Sequence, residues 1–254
     1  MSRRWKSELV AVLGAEQCAL SVLPGMFGAR LAAHSVASGA WPASITTALQ
    51  TLAAGGASVL PRQARLTVPD ERVYFAMLPA TSRWSQRRDI AVRHFAESLG
   101  RQDLLVQISL VDAGRSWLAA AIEEGDRKAW AEPFHDVGIR LNAIEPALTH
   151  DLRLIAPGVP ADGVLVMMRR EGAMLLHVRD GEMADLRWER CVDADVEQRV
   201  EAFVAAVQTE STPLPVLVYS DEIASSDTLS TITTGHGWRR LRAPAARASG
   251  ALAT

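Results

Sequence analysis

The chain opens with alternation. Leu9, Ala11 and Leu13 recur at every second position, Gly14-Ala15-Glu16 supplies turn residues, and residues 19–23 read as a returning strand. Period two sends successive side chains to opposite faces, so the pattern predicts a hairpin with one apolar face. A third short strand follows over residues 31–36. The period then changes: Ile45, Leu49 and Leu52 recur at helical spacing, with Ser44 as the expected N-cap and Gly55-Gly56 as the stop. Strands are expected over 64–68 and 73–78, joined by a tight turn at Pro69-Asp70-Glu71. A helix over 85–99 aligns Ile90, Phe95 and Leu99, and Gly100 stops it. Leu104, Val106, Ile108 and Leu110 alternate strictly, and a strand over 117–122 ends at Glu123-Glu124-Gly125. Trp130, Phe134 and Val137 have helical spacing. Pro133 removes an interior hydrogen bond, so this helix either bends there or begins near Glu132, and Gly138 closes it. Residues 139–144 form the next strand, which runs into Glu145-Pro146.

The same style returns in the second half. Strands over 163–168, 173–178 and 183–188 are joined by turns at Glu171-Gly172 and Asp180-Gly181, where glycine accepts the positive φ that tight hairpins need. Asp195 is the expected cap of a helix carrying Val196, Val200, Phe203, Val204 and Val207, with Gln198 placed for a capping box. A strand over 216–219, a short helix over 225–232 and a last strand over 238–241 complete the pattern, and an Ala-, Ser- and Gly-rich tail begins at Pro244. Each half thus opens with a three-stranded meander and then mixes helices with strands. This predicts a duplicated α/β fold of two lobes with mixed sheets: residues 1–148, residues 149–243, and a mobile tail over 244–254.

Composition narrows the function. The chain has 254 residues, 48% hydrophobic and 22% charged, which is ample for packed cores, and a formal net charge of −2, which offers no positive field for nucleic acid. Basic residues gather near the ends (Arg3, Arg4, Lys6; Arg239, Arg240, Arg242) as solvated termini or a weak membrane-surface contact. Residues 31–61 hold no Asp, Glu, Lys or Arg, yet Gly39, Pro42, Gly55 and Gly56 interrupt them, so no membrane span is expected. Cys18 and Cys191 read as separate buried thiols in a reducing compartment. Chemical motifs are sparse: no phosphate-cradling Gly-rich loop, no G-x-S-x-G elbow, and six histidines (His34, His94, His135, His150, His177, His236) none of which falls at metal-ligand spacing. No catalytic, cofactor-binding or metal-ligating residue is assigned, and no cofactor. Glu123-Glu124 and Asp193/Asp195 sit where turns and caps need acids. Asp221-Glu222 lies beyond a strand's C-terminal end, a common ligand position, though a turn-and-cap role suffices. Gly235-His236-Gly237 reads as a turn.

Several stretches resemble the actin-like proteins of bacterial type IV pilus and type II secretion machines, the PilM/GspL family. Val10-Ala11-Val12-Leu13-Gly14 is similar to the first phosphate hairpin of that fold, and Arg65 to Asp70 through Met77-Leu78-Pro79 to its paired strands. Ala119 to Ile122, then Trp130 to Gly138, then Ile144-Glu145-Pro146-Ala147-Leu148 follow the family's order of strand, Gly-terminated helix, and strand leading to an acid and Ala-Leu. The resemblance implies an actin-like (ribonuclease H-like) duplicated fold. It also implies a cytoplasmic scaffold that binds the cytoplasmic tail of an inner-membrane assembly protein, and an assembly ATPase as a further partner. Nucleotide-binding members carry Asp-x-Gly in the first hairpin. Here Val12 takes the Asp position, and Val cannot order Mg²⁺. The second phosphate hairpin should repeat Asp-x-Gly; the chain offers Met167-Met168-Arg169-Arg170-Glu171-Gly172-Ala173-Met174, and Ser220-Asp221 replaces the paired adenosine glycines. Weak or absent ATP binding is the expectation. The alternatives are an ATP-dependent actin-like kinase and an unrelated two-lobed enzyme using scattered residues such as Asp221 and His236.

Overall fold

The structure is a computed structural model and describes residues 7–14, 16–23, 34–55, 60–79, 84–111, 116–169, 172–190, 195–208, 213–220 and 238–241. Its centre is a topology used twice. Strands β1 (Glu8–Leu13), β2 (Gln17–Leu23), β3 (His34–Ser38), β4 (Gln63–Val68) and β8 (Arg140–Pro146) form one sheet in the order β3-β2-β1-β4-β8. Strands β9 (Gly163–Arg169), β10 (Gly172–Arg179), β11 (Glu182–Arg190), β12 (Val216–Tyr219) and β13 (Arg239–Arg240) form the other in the order β11-β10-β9-β12-β13. In each, three antiparallel strands form the meander predicted by the alternation, and a fourth and fifth strand add parallel to the first. Both sheets are therefore mixed, as the duplicated pattern predicts.

A third sheet, ordered β5-β7-β6, holds β5 (Tyr74–Pro79), β6 (Leu104–Val111) and β7 (Ser116–Glu123). The turn expected between β4 and β5 is a 3-10 turn (Asp70–Arg72), and the two strands it joins lie in different sheets. β4 pairs in parallel with β1 and β8, while β5 runs antiparallel to β7. Cα proximity divides the chain into two compact units. The first comprises Met1–Val73, Arg101–Leu105 and Ile122–His150; the second comprises Tyr74–Gly100, Val106–Ala121 and Asp151–Thr254. Residues 74–100 and 106–121, which lie within 1–148, therefore group with the later segments.

In the first unit, the face of β1, β2 and β4 carrying Leu9, Ala11, Leu13, Cys18, Leu20, Ala64, Leu66 and Val68 is buried. Helix α1 (Ala43–Ala54) buries Ile45, Ala48, Leu49 and Leu52, and helix α3 (Glu124–Asp136) buries Trp130 and Phe134. Just before α1, Trp41 meets Trp130 of α3, their rings 6.3 Å apart at 81°, the edge-to-face geometry that ring quadrupoles prefer. Ser44 is not the N-cap of α1. Pro42 holds that position with no side-chain cap bond, and Ser44 is buried one residue inside the helix. Helix α3 starts earlier than expected, at Glu124, and runs continuously through Pro133. Glu124 and Asp126 complement the positive end of the helix, and Lys128 reaches Glu124 at 3.0 Å. Gly138, at φ +73°, closes it.

In the second unit, helix α5 (Val196–Val207) buries Val196, Val200 and Phe203 against Val164, Val166, Leu175, Val216 and Val218 of its sheet. Asp195 occupies the N-cap position, but its side chain makes no capping hydrogen bond. The β10–β11 turn has Asp180 at φ +54° and Gly181 at φ +79°, the mirror-image turn that matches strand twist. Helix α2 (Trp84–Leu99) belongs to this unit. Helix α4 (Ala147–Ile155), in a stretch with no predicted element, has its residues through His150 in the first unit and the rest in the second; it buries Leu148, Asp151 and Ile155 at i, i+3 and i+7, one helical face with a carboxylate in its middle. The expected helix over 225–232 and the tail lie outside the described residues. No helix among the described residues is long and apolar enough to cross a membrane.

Candidate functional site

Open α/β sheets place ligands beyond the carboxyl ends of their parallel strands. In the first unit those ends belong to β1, β4 and β8. Register puts Val12, Thr67 and Glu145 directly opposite one another on the face away from Leu9 and Leu66. Val12 is 37% exposed, so an aliphatic side chain faces outward where the resemblance asks for a carboxylate. Beyond it, the Gly14 N–H bonds the Gln17 carbonyl at 2.9 Å, and the direction a Cβ on Gly14 would take is filled by Gln17 Cγ at 3.0 Å. Thr67 is buried, and its hydroxyl finds no hydrogen-bond partner. Glu145 keeps a side-chain exposure of 15%, with His150 Nδ1 3.8 Å from its carboxylate.

One carboxylate here is structural. Asp70, 1% exposed, follows β4 and accepts the Leu148 N–H on Oδ1 at 2.8 Å. It caps the first turn of α4 from a distant part of the chain and so fixes the β8–α4 junction two residues after Glu145. Glu123 and Glu124, read as turn acids, are both engaged: Glu123 with Arg101, Glu124 with Lys128. The Arg101 fork also grips Asp103 at 2.9 Å and holds that carboxyl below the usual range. Burial raises Asp126 above it.

In the second unit the equivalent position is the end of β9. The residue there is Arg169, whose guanidinium lies 2.8 Å from Asp151 of α4, with both side chains 5% exposed. A buried guanidinium is stable only beside an opposite charge, so each ion accounts for the other's burial. The last residue of β9 is thus held in an internal ion pair with α4. Gly172 is forced for a different reason: a Cβ there would collide with the Glu189 carbonyl of β11. Asp151 carried no sequence signal, because nothing in its spacing marks Arg169 as its partner.

The remaining candidates divide plainly. Ser220 follows β12; Asp221, Glu222, Gly235, His236, Gly237 and Cys191 lie outside the described residues. Cys18 is a buried thiol pushed up to about 12 by burial, so it is inert as a nucleophile. His177, 8% exposed on β10, has its pKa lowered by burial and by Arg179. The structure brings no three His, Cys, Asp or Glu side chains together at metal-binding distance among the described residues.

No protein-family model matches the sequence, and no curated protein does. Solved structures do. PilM in a PilM–PilN type IV pilus biogenesis complex matches with TM-score 0.69 and 12% identity, over 93% of this chain and 88% of that one. A Bacteroides thetaiotaomicron protein of actin-like ATPase fold and unknown function matches with TM-score 0.63 and 11% identity, over 96% and 93%. The cytoplasmic domain of EpsL, an inner-membrane component of the Vibrio cholerae type II secretion system, matches with TM-score 0.54 and 11% identity, over 90% and 93%. The chain therefore has the actin-like fold shared by PilM and the EpsL cytoplasmic domain.

Proposed function

We propose that this protein is an adaptor of a bacterial type IV pilus or type II secretion platform, working on the cytoplasmic side of the inner membrane. It binds the cytoplasmic tail of a membrane-anchored assembly protein, with an assembly ATPase as a further partner. The observation that carries the reading is the buried Arg169–Asp151 pair at the end of β9. An actin-like nucleotide site is expected to present the end of that strand to phosphate, and here its last residue is tied to the chain's own Asp151. Val12, in place of a metal-ordering carboxylate at the β1–β2 hairpin, points the same way. Two structures sharing the fold belong to such platforms: one contains PilM with PilN, the other is part of an inner-membrane component.

The test is a titration of the purified protein with synthetic cytoplasmic tails of inner-membrane pilus and secretion proteins from its own organism. One tail should bind with a dissociation constant on the order of micromolar, about −8 kcal/mol, and Mg²⁺-ATP should leave that constant unchanged. Absence of binding by every tail, together with ATP turnover, would move the kinase reading to the front.

A further inference from the structure

The turn between β10 and β11 is clasped from outside the hairpin. Arg179 and Glu182 pair across two exposed residues, Asp180 at φ +54° and Gly181 at φ +79°. The closing bonds of such a turn join its outer residues, so the two central N–H groups need partners elsewhere. Both find one in the protein. The Asp180 N–H donates to Asp162 Oδ1 at 3.1 Å, and the Gly181 N–H to the Ala161 carbonyl at 2.8 Å. The arm that supplies these acceptors is itself anchored: Gly163 pairs with Val178 of β10, and the Val164 N–H bonds the Pro215 carbonyl at 2.9 Å.

The clasp restrains a reactive pair. In Asp-Gly the backbone nitrogen of the glycine lies within reach of the aspartate's own carboxyl carbon, and no glycine Cβ hinders the approach. Space is open around Gly181, where an added Cβ would meet nothing within 4 Å. On attack the bond from the Gly181 nitrogen to Asp180 Cγ forms, a carboxyl C–O bond breaks, and the amide hydrogen and carboxyl OH leave as water. Water then reopens the cyclic imide at either carbonyl. One opening restores aspartate; the other gives isoaspartate, in which the main chain runs through the side-chain carboxyl carbon. The attack needs the Gly181 amide to give up its proton, and the Ala161 carbonyl holds that proton in a hydrogen bond.

We propose that Asp180 is a latent site of covalent modification, which isomerises to isoaspartate when the clasp from Ala161 and Asp162 opens. The inference is independent of the adaptor reading. Local opening of an exposed turn is among the least costly motions of a folded chain, so the modification records how often this clasp lets go. Its product does not fit back. Isoaspartate adds a carbon to the main chain of a two-residue turn, so Arg179 and Glu182 lose the register they now share, and the hairpin end stays open.

The test ages the full chain for weeks at neutral pH beside a synthetic peptide of residues 176–186, and follows isoaspartate at Asp180 by peptide mapping. The peptide has no clasp and should accumulate isoaspartate steadily, more than about tenfold faster than the folded chain. Asp162→Ala removes one of the two clasping bonds from an exposed side chain. It should keep its melting temperature and age about two- to tenfold faster than the parent, the gain in open turn that one lost hydrogen bond allows. Asp180→Glu should abolish the signal and so assign it. In aged, modified protein, hydrogen exchange of residues 178–183 should quicken. The proposal is overturned if the folded chain ages at the peptide's rate, or if Asp162→Ala ages no faster than the parent. A peptide that forms no isoaspartate, or modified protein whose hairpin end exchanges as before, would overturn it equally.

Discussion

The two five-stranded sheets share one topology but differ in how they are clothed. In the first, β1 alternates: Leu9, Ala11 and Leu13 are buried while Val12 stands 37% exposed. In the second, β9 is buried from Val164 to Met168 and β10 from Ala173 to Val178, on both faces. The sequences say as much. A strand solvated on one face alternates, while a strand covered on both reads as a continuous apolar run such as Val164-Leu165-Val166-Met167-Met168. The buried sheet also carries the buried charge, Arg169 with Asp151; the half-open sheet carries the exposed Val12 and Val36. The same topology is thus covered on both faces in one copy and on one face in the other.

The comparison breaks most sharply at the ion pair. Arg169→Met or Asp151→Leu alone should cost about 3–5 kcal/mol, because each strands a buried charge, whereas the double variant should recover most of the loss. Urea unfolding checks both. Phe203→Ala, under the second sheet, should cost a similar 3–5 kcal/mol, while Val36→Ala on the first should stay within about 0.5 kcal/mol. Equal losses at the two sites would contradict the contrast drawn from burial. Asp70→Ala should cost about 1–3 kcal/mol by leaving the Leu148 N–H unsatisfied, with Asp70→Asn recovering part through its carbonyl oxygen.

A smaller effect follows from His177. Burial and Arg179 lower its folded-state pKa, so the fold prefers neutral imidazole. The stability this contributes is present above the unfolded value of about 6.5 and is lost as pH falls from there through the lower folded pKa. Melting temperature should decline as pH falls below about 6.5, and His177→Gln should flatten that decline. A profile identical in the two proteins would show that the histidine contributes nothing.

Local signals were legible in the sequence wherever the cause was local. The meanders follow from period-two alternation and turn residues, and α5 from its valines at helical spacing. What escaped was set by distant partners. β4 joins β1 and β8 instead of its neighbour β5, because parallel pairing is chosen by the whole sheet. Helix α4 hid because Asp151 sits in the middle of its buried face, where its partner Arg169 is distant in sequence. Ser44 looked like a cap and lies inside α1, where its buried hydroxyl has no partner. Val12, as a departure from Asp, was visible in the sequence; the ion pair at the last residue of β9 was not.

The most direct test of the central claim, that this actin-like fold serves as an adaptor whose hairpin ends no longer hold a nucleotide, is calorimetric titration of the purified protein with Mg²⁺-ATP. No saturable heat at millimolar nucleotide, where even a 1 mM site worth about −4 kcal/mol would register, is the predicted result. Stoichiometric binding in the micromolar range would contradict it, because Val12 and the Arg169–Asp151 pair would then have to make way for phosphate and metal.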